Sequence, residues 1–272
     1  MTTKTAGAIS ALLVLTGSLL MLTNLYGLTQ NLRPTGLTPE VLRFGERDLT
    51  ITPIELTLAM ERLDGETELE YAKRITLALA DGIAHVEWEI YDPDVFHQRV
   101  PVWENYILYL MGVITTIPEF RRYHFSDPWR SIERGIGICG DASMTLSSFL
   151  NDQGIANNIV TVPGHVMVEA YIENTPILLD ADYGIVLEHG IAYYENHPEA
   201  LIREYQSYFG KINDGELMIA RNLRDYGYKL WNGTSHFITK KYYFEKFAYP
   251  MKWLLPLIMT ASGIFLWRRN KR

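Results

Sequence analysis

A long apolar run near one end most constrains what this chain can fold into. Residues 6–28 carry no charged side chain, and a helix that crosses the ~30 Å hydrocarbon core of a bilayer needs roughly 20 such residues. A secretory signal peptide has a shorter apolar core and a small-residue cleavage site, and the polar break after Leu22 offers no clear Ala-x-Ala pattern. We therefore predict an uncleaved transmembrane helix, a signal anchor, over residues 6–28, with a removed signal as the alternative.

A second apolar run covers residues 249–267 and includes Pro256. Aromatic residues near both of its ends are typical of membrane–water interfaces, and a basic tail follows at 268–272. The positive-inside rule places that tail in the cytoplasm. Two spans then put both termini on the cytoplasmic side and the residues between them in the periplasm or another extracytoplasmic space. The alternative is a buried C-terminal helix with a basic tail.

The residues between the two runs are numerous enough for one substantial core. Proline and glycine within residues 29–64 indicate a linker that leads into an outer domain, and the domain itself is predicted over 65–230. A shorter apolar run at 102–117 predicts a core helix, with a third span as the alternative. The formal net charge is −7 and the strongest basic cluster lies in the tail, which argues against a nucleic-acid partner.

The chain contains one cysteine, Cys139, which excludes an intrachain disulfide. A lone thiol in an oxidising compartment is a liability unless it has a function. An inert buried cysteine is the alternative, but the neighbouring Gly137, Gly140 and Asp141 indicate an exposed turn.

The pattern after Cys139 predicts a helix that ends near residue 153, followed by strands that alternate or run apolar. These strands cover residues 155–162, 165–172 and 177–182. Helices combined with an antiparallel hairpin of this kind indicate an α+β fold.

The hairpin brings a histidine and two aspartates to one face of the sheet. A two-residue turn at 173–174 places Asp182 opposite His165 and Asp180 opposite Met167. Side chains two residues apart share a face of a strand, so both aspartates lie on the side of the histidine. The pattern alone does not choose between them.

This order of residues suits cysteine catalysis. A thiol at a helix N-terminus beside an imidazolium is more acidic than a free thiol, and the helix dipole favours its anionic form. Cys139 would be the nucleophile, His165 the base, and Asp180 or Asp182 the group that orients the histidine. The helix N–H groups can hold the oxyanion of a tetrahedral intermediate, and Gly140 would let a substrate approach that backbone.

Cysteine, histidine and aspartate also bind zinc, but the chain has one cysteine and no HExxH or CxxC pattern. We therefore expect no metal and no other cofactor. The remaining histidines lack the spacing of metal ligands and are predicted to be surface or structural residues: His85, His97, His124, His189, His197 and His236.

Four segments resemble a known family: Gly-Ile-Cys-Gly-Asp-Ala-Ser at 137–143, Gly-Ile at 154–155, Gly-His-Val-Met-Val-Glu at 164–169 and Leu-Asp-Ala-Asp at 179–182. In this order they resemble the transglutaminase-like superfamily, and in particular its membrane-anchored bacterial-type members. The superfamily shares a papain-like core, a nucleophile helix packed on an antiparallel sheet. The resemblance implies that Cys139 is the nucleophile, His165 the general base and Asp180 the orienter, with Asp182 in reserve.

The chain departs from the family pattern in two places. Met167 stands where the family often has an aromatic residue, and Asp180-Ala181-Asp182 stands where it often has Asp-Pro-Thr. Both departures leave the three predicted catalytic residues intact.

The resemblance implies a transglutaminase-like domain over 65–230 with a C-terminal helical extension, flanked by the transmembrane helices. It also implies a cysteine peptidase or amidase that forms an acyl-enzyme, or that transfers the acyl group to an amine. The expected partners are a peptide or amide substrate, such as a membrane or envelope protein, and the lipid bilayer. The alternative is a non-catalytic scaffold of the same fold, an accessory subunit of an envelope or polysaccharide assembly complex.

Overall fold

The computed structural model describes residues 3–43, 45, 48–86, 89–210 and 213–271. Within these residues the helices are α1 (Thr3–Gly27), α2 (Pro53–Ala59), α3 (Glu68–Gly82), α4 (Tyr106–Ile114), α5 (Pro118–Arg121), α6 (Pro128–Arg134), α7 (Cys139–Asp152), α8 (Ile191–Asn196), α9 (Pro198–Phe209), α10 (Asp214–Tyr226), α11 (Thr234–Phe237) and α12 (Thr239–Asn270). The strands are β1 (Ala84–His85), β2 (Ile136–Gly137), β3 (Asn157–Val162), β4 (His165–Ile172), β5 (Thr175–Asp180), β6 (Ile185–Leu187) and β7 (Lys229–Trp231).

The chain forms two compact units. The terminal unit comprises Met1–Leu32, Asp92–Tyr123 and Tyr243–Arg272, and the central unit comprises Arg33–Tyr91 and His124–Tyr242. Residues 92–123 fall inside the predicted domain of 65–230 but belong to the terminal unit.

Two helices are long and apolar enough to cross a membrane: α1, in the terminal unit, and α12, which belongs to that unit from Tyr243 onward. The run predicted over 6–28 corresponds to α1. The run predicted over 249–267 corresponds to α12, which begins earlier, at Thr239, and carries two basic residues of the predicted tail in its last turn. Arg272, also in that tail, lies outside the described residues.

Pro256 lies inside α12 without ending the helix. A proline supplies no N–H to the carbonyl four residues earlier, which here belongs to Lys252. The Asn24 amide and the Tyr106 hydroxyl donate to that carbonyl instead, at 2.5 and 3.2 Å. Side chains from α1 and α4 therefore satisfy the freed backbone group, which lets α12 continue.

The helix α4 occupies most of the apolar run at 102–117, but it is not a core helix. Leu110, Val113 and Ile114 are 48, 51 and 72 % exposed, whereas Leu108 on the opposite side is buried. The prediction of a core helix is therefore wrong for one face of α4.

An antiparallel sheet with the strand order β6–β5–β4–β3–β7 lies at the centre of the central unit. The helix α7 packs on β3 and β4. Its Leu146 and Leu150 share one apolar cluster with Val168 and Leu179 of the sheet, and burial of such side chains drives the packing. The predicted mixture of helices with an antiparallel sheet is confirmed.

The predicted hairpin between β4 and β5 is also confirmed, because Ile172 pairs with Thr175. The turn Glu173–Asn174 has φ angles of 50° and 65°, which suit a two-residue type I′ turn. This register brings the start of β4, at His165, close to the end of β5, at Asp180.

A second, two-stranded sheet connects the approach to α7 with a distant part of the chain. The strands β1 and β2 pair in parallel, with Ala84 beside Ile136 and His85 beside Gly137. His85 therefore lies next to the strand that leads directly to Cys139.

Candidate active site

Cys139 is the first residue of α7, and its thiol is half-buried and free of disulfide bonding. The chain enters this helix through a tight approach: a Cβ atom on Gly137 would lie 2.7 Å from the Cβ of Asp141. Only glycine fits there without a shift of its neighbour. The predicted position of the cysteine at a helix N-terminus is confirmed.

The first turn of α7 is held by the buried carboxylate of Asp141. It accepts hydrogen bonds from the Ile138 backbone N–H at 3.0 Å, from His124 Nδ1 at 2.7 Å and from Arg134 Nη2 at 3.3 Å. Burial by itself raises the pKa of this carboxyl, but the His124 and Arg134 charges and these hydrogen bonds outweigh burial and keep the pKa below its ordinary value. Asp141 is thus a charged anchor for the helix start.

The prediction of an exposed turn is correct only in part. Cys139 and Gly140 are half-buried, but Gly137 and Asp141 are buried. The reason is that cations from α6 and its preceding segment compensate the carboxylate, which lets it leave solvent.

His165 lies between Cys139 and Asp180. Its Nε2 atom is 2.7 Å from Oδ2 of Asp180, and the Cys139 side chain is close enough to the ring to raise the pKa of His165. Because Nε2 is engaged by the carboxylate, Nδ1 is the ring nitrogen that remains for the sulfur. The structure therefore brings the three predicted residues together, with a hydrogen bond between His165 and Asp180 and the Cys139 side chain beside the ring.

The charges around His165 favour its protonated form. Burial lowers the pKa of His165, but the negative charge and hydrogen bond of Asp180, together with the interaction with Cys139, raise it well above the ordinary value. A cationic imidazole beside the sulfur is the partner that a thiolate requires.

Asp180 is fixed from several directions. Its Oδ1 atom accepts the backbone N–H groups of Asp182 and Tyr183 at 3.1 and 3.2 Å, and its Oδ2 atom accepts the hydroxyl of the buried Tyr205. Burial and the adjacent Asp180 carboxylate raise the pKa of Tyr205 well above its ordinary value, so this hydroxyl remains a donor. Sequence reasoning missed Tyr205, whose only signal was its place on the apolar side of α9, four residues after Leu201.

Asp182, the reserve candidate, orients a different histidine. Its Oδ1 atom accepts from His85 Nδ1 at 2.6 Å, and Arg43 Nη1 lies 3.4 Å from its Oδ2 atom. Burial raises the pKa of Asp182, but the charges of His85, His165 and Arg43 outweigh it and lower the pKa. The structure thus separates the two aspartates that the hairpin pattern left equivalent.

Two of the histidines predicted to be surface or structural residues, His85 and His124, therefore lie within hydrogen-bond distance of aspartates beside this site. The sequence carried no signal for His85, because the strand that holds it has two residues. His124 is seventeen positions from its aspartate, beyond the reach of any local pattern.

Gly140 faces open space, since a Cβ atom at this position would meet nothing within 4 Å. Of the first N–H groups of α7, those of Asp141 and Ala142 already donate to the Ile138 carbonyl, at 2.8 and 3.2 Å. The predicted role of Gly140 in holding an oxyanion stays a prediction, as do the catalytic roles of Cys139, His165 and Asp180.

Among the described residues, no group of three or more histidine, cysteine, aspartate or glutamate side chains is placed to hold a metal ion. Comparison of the chain with protein-family models, with curated proteins and with solved structures finds no match.

Proposed function

We propose that this protein is a membrane-anchored cysteine hydrolase of the transglutaminase-like class, with the papain-like core of that class in its central unit. The observation that carries the proposal is the cluster in which Cys139, at the N-terminus of α7, lies beside His165, whose ring hydrogen-bonds with Asp180. Nucleophile, base and orienter in hydrogen-bond contact are the requirement for thiol catalysis.

The substrate is a peptide or another amide. The Cys139 sulfur attacks the carbonyl carbon, a C–S bond forms, and the carbonyl oxygen becomes an oxyanion that accepts hydrogen bonds from N–H groups at the start of α7. The protonated His165 then gives its proton to the leaving amine as the C–N bond breaks. The product of this half-reaction is a thioester on Cys139.

Water completes the reaction. The neutral His165 takes a proton from the water molecule that attacks the thioester, the C–S bond breaks, and the carboxylic acid leaves. Thiolate and imidazolium are then restored. An amine in place of water gives acyl transfer, and Asp180 holds the ring of His165 in position during both steps.

The helices α1 and α12 anchor the protein in a bilayer, with both termini in the cytoplasm. The basic residues at the end of α12, Arg268 and Arg269, support this orientation. The central unit then lies outside the cytoplasm, where its substrate is a peptide or amide group of a membrane or envelope protein.

The test is labelling of intact cells with a peptide-derived thiol electrophile, followed by mass-spectrometric mapping of the tagged residue. We expect a tag on Cys139 that the Cys139→Ala variant loses together with turnover. In the purified full chain, iodoacetamide should label Cys139 well below pH 8. Labelling that rises only near pH 8, or turnover that persists in the alanine variant, would instead favour the non-catalytic scaffold.

A further inference from the structure

We propose that α4 lies in the membrane–water interface and binds lipid with its exposed face, as a third membrane contact that does not span the bilayer. The proposal rests on α1 and α12 being membrane helices, as in the proposed function, and it is independent of the catalytic assignment.

The exposed face of α4 is a continuous apolar stripe. Leu110, Val113 and Ile114 have the spacing of one helix face, and each is more than 40 % exposed. The sequence from Asn105 to Pro118 contains no charged residue. Apolar stripes of this kind on a protein surface mark interaction sites.

The opposite face of α4 is already packed. Gly112 approaches the backbone carbonyl of Phe120 so closely that a Cβ atom would lie 2.5 Å from its oxygen. Phe120 in turn meets Phe244 of α12 edge to face, with ring centroids 5.4 Å apart. The contacts of α4 within the terminal unit therefore use its other face, and the apolar stripe stays exposed.

These contacts place α4 beside one particular stretch of α12. The Tyr106 hydroxyl donates to the Lys252 carbonyl at 3.2 Å, and the Tyr123 hydroxyl donates to Glu245 at 2.9 Å. The apolar part of α12 begins directly after Lys252. The helix α4 thus lies at the boundary between the polar and apolar parts of α12.

Lipid is the occupant that suits this position. The stripe lies in the same compact unit as the exposed leucines of α1 and α12. The next charged residues along the chain are Glu119, Arg121 and Arg122, so the segment after α4 carries a net positive charge. Exposed aromatic residues, Tyr243 and Phe247, lie in the first turns of α12. Basic and aromatic residues beside an apolar helix face are the composition of interfacial helices.

The length of α4 excludes a span. Its nine residues extend about 14 Å at ~1.5 Å per residue, less than half of the ~30 Å hydrocarbon core. The helix can therefore only lie at the surface of the bilayer, with its stripe toward the acyl chains.

The experiment measures the depth of spin labels on the full chain, in a Cys139→Ser background, in vesicles of phosphatidylcholine with a minor fraction of phosphatidylglycerol. Single labels are placed at Ile114→Cys and at Ile54→Cys, an isoleucine of the central unit with matched exposure, 73 % against 72 %. A label at Leu15→Cys in α1 provides the reference for the hydrocarbon core. Oxygen and a water-soluble nickel chelate are the collision partners.

We expect the ratio of oxygen to nickel accessibility to be several-fold higher at Ile114 than at Ile54, and highest at Leu15. A label at Leu110→Cys should agree with the label at Ile114, which guards against a local disturbance by one substitution. Equal ratios at Ile114 and Ile54 would overturn the proposal.

Two further outcomes would also overturn it. Spin–spin broadening at Ile114 that disappears on dilution with unlabelled protein would show that a second copy covers the stripe. An aqueous signal at Leu15 would show that α1 is not in the bilayer, and the membrane part of the proposed function would fail as well. A buried Leu15 with an aqueous Ile114 would overturn only the inference about α4.

Discussion

Three histidine–aspartate pairs lie among the described residues of the central unit, and two of them are similar in geometry and different in surroundings. The N···O distances are 2.7 Å in His165–Asp180 and 2.6 Å in His85–Asp182. The first pair is buried among backbone N–H groups and the Tyr205 hydroxyl and reaches the cysteine. The second is linked to Arg43, whose side chain is one-third exposed. A short histidine–carboxylate contact therefore does not by itself identify a catalytic pair.

Tyr183 connects the two pairs. Its ring meets His165 edge to face, with centroids 5.5 Å apart, and its hydroxyl accepts a hydrogen bond from Arg43 at 2.7 Å. His85 and Arg43 both contact the Asp182 carboxylate and help to keep its pKa below the ordinary value. In the proposed function the first pair carries the chemistry, and the second pair supports its surroundings.

The largest expected effect comes from replacing each histidine with the amide that keeps its hydrogen bond. His165→Gln keeps a donor near the Nε2 position toward Asp180, and His85→Asn keeps one near the Nδ1 position toward Asp182. Loss of a general acid–base group lowers rates by about 10²–10⁴-fold, and we expect this for turnover in His165→Gln. His85→Asn should lose less than about tenfold, since hydrogen bonding to Asp182 survives.

The same two variants are compared by the rate at which iodoacetamide labels Cys139 at pH 6. The rate should fall in His165→Gln and stay near the wild-type value in His85→Asn. Equal losses in both variants would show that the two pairs share one function, and the assignment to the first pair would be wrong.

The second effect concerns stability and its dependence on pH. Asp180→Asn removes one partner of a buried pair and should lower the free energy of unfolding by about 3–5 kcal/mol at pH 6. Because Asp180 raises the pKa of His165, this stabilisation is complete below the ordinary histidine value of ~6.5. The stabilisation is lost as the pH rises through the raised pKa of His165. The difference in the free energy of unfolding between the wild type and Asp180→Asn should therefore become smaller at alkaline pH.

Asp182→Asn is the matched control for that experiment, measured by denaturant unfolding of the full chain in detergent micelles. We expect a smaller loss, about 1–3 kcal/mol, because the cations left behind reach solvent more easily. A deficit of Asp180→Asn that grows between pH 6 and alkaline pH would contradict the proposed protonation of His165.

The smallest expected effects are those of replacing two glycines, one on either side of Cys139, with alanine. Gly140→Ala places a methyl group in open space within a helix, so it should raise stability by about 0.5–1 kcal/mol. If substrate approaches this backbone, the same change should slow turnover. Gly137→Ala meets Asp141 and should cost stability, by about 1–3 kcal/mol. Unchanged turnover in Gly140→Ala would show that the substrate does not approach the backbone at Gly140.

Local patterns predicted much of the region that carries the site. The helix from Cys139, the hairpin turn at 173–174 and the register that aligns His165 with the two aspartates all depend on residues close in sequence. Apolar spacing and turn residues report such neighbours directly. The apolar helices at both ends were predictable for the same reason, since length and composition decide whether a helix can span a bilayer.

The tertiary structure decided what local patterns leave open. The choice of Asp180 over Asp182 depends on Tyr205 and on His85, which lie 25 and 97 positions from those aspartates. The burial of Asp141 depends on cations from an earlier helix and the segment before it, and the exposed face of α4 depends on which of its sides α12 covers. Hydrogen-bond partners and burial are set by packing between distant segments, so the sequence determined the elements and only the fold determined which charges meet.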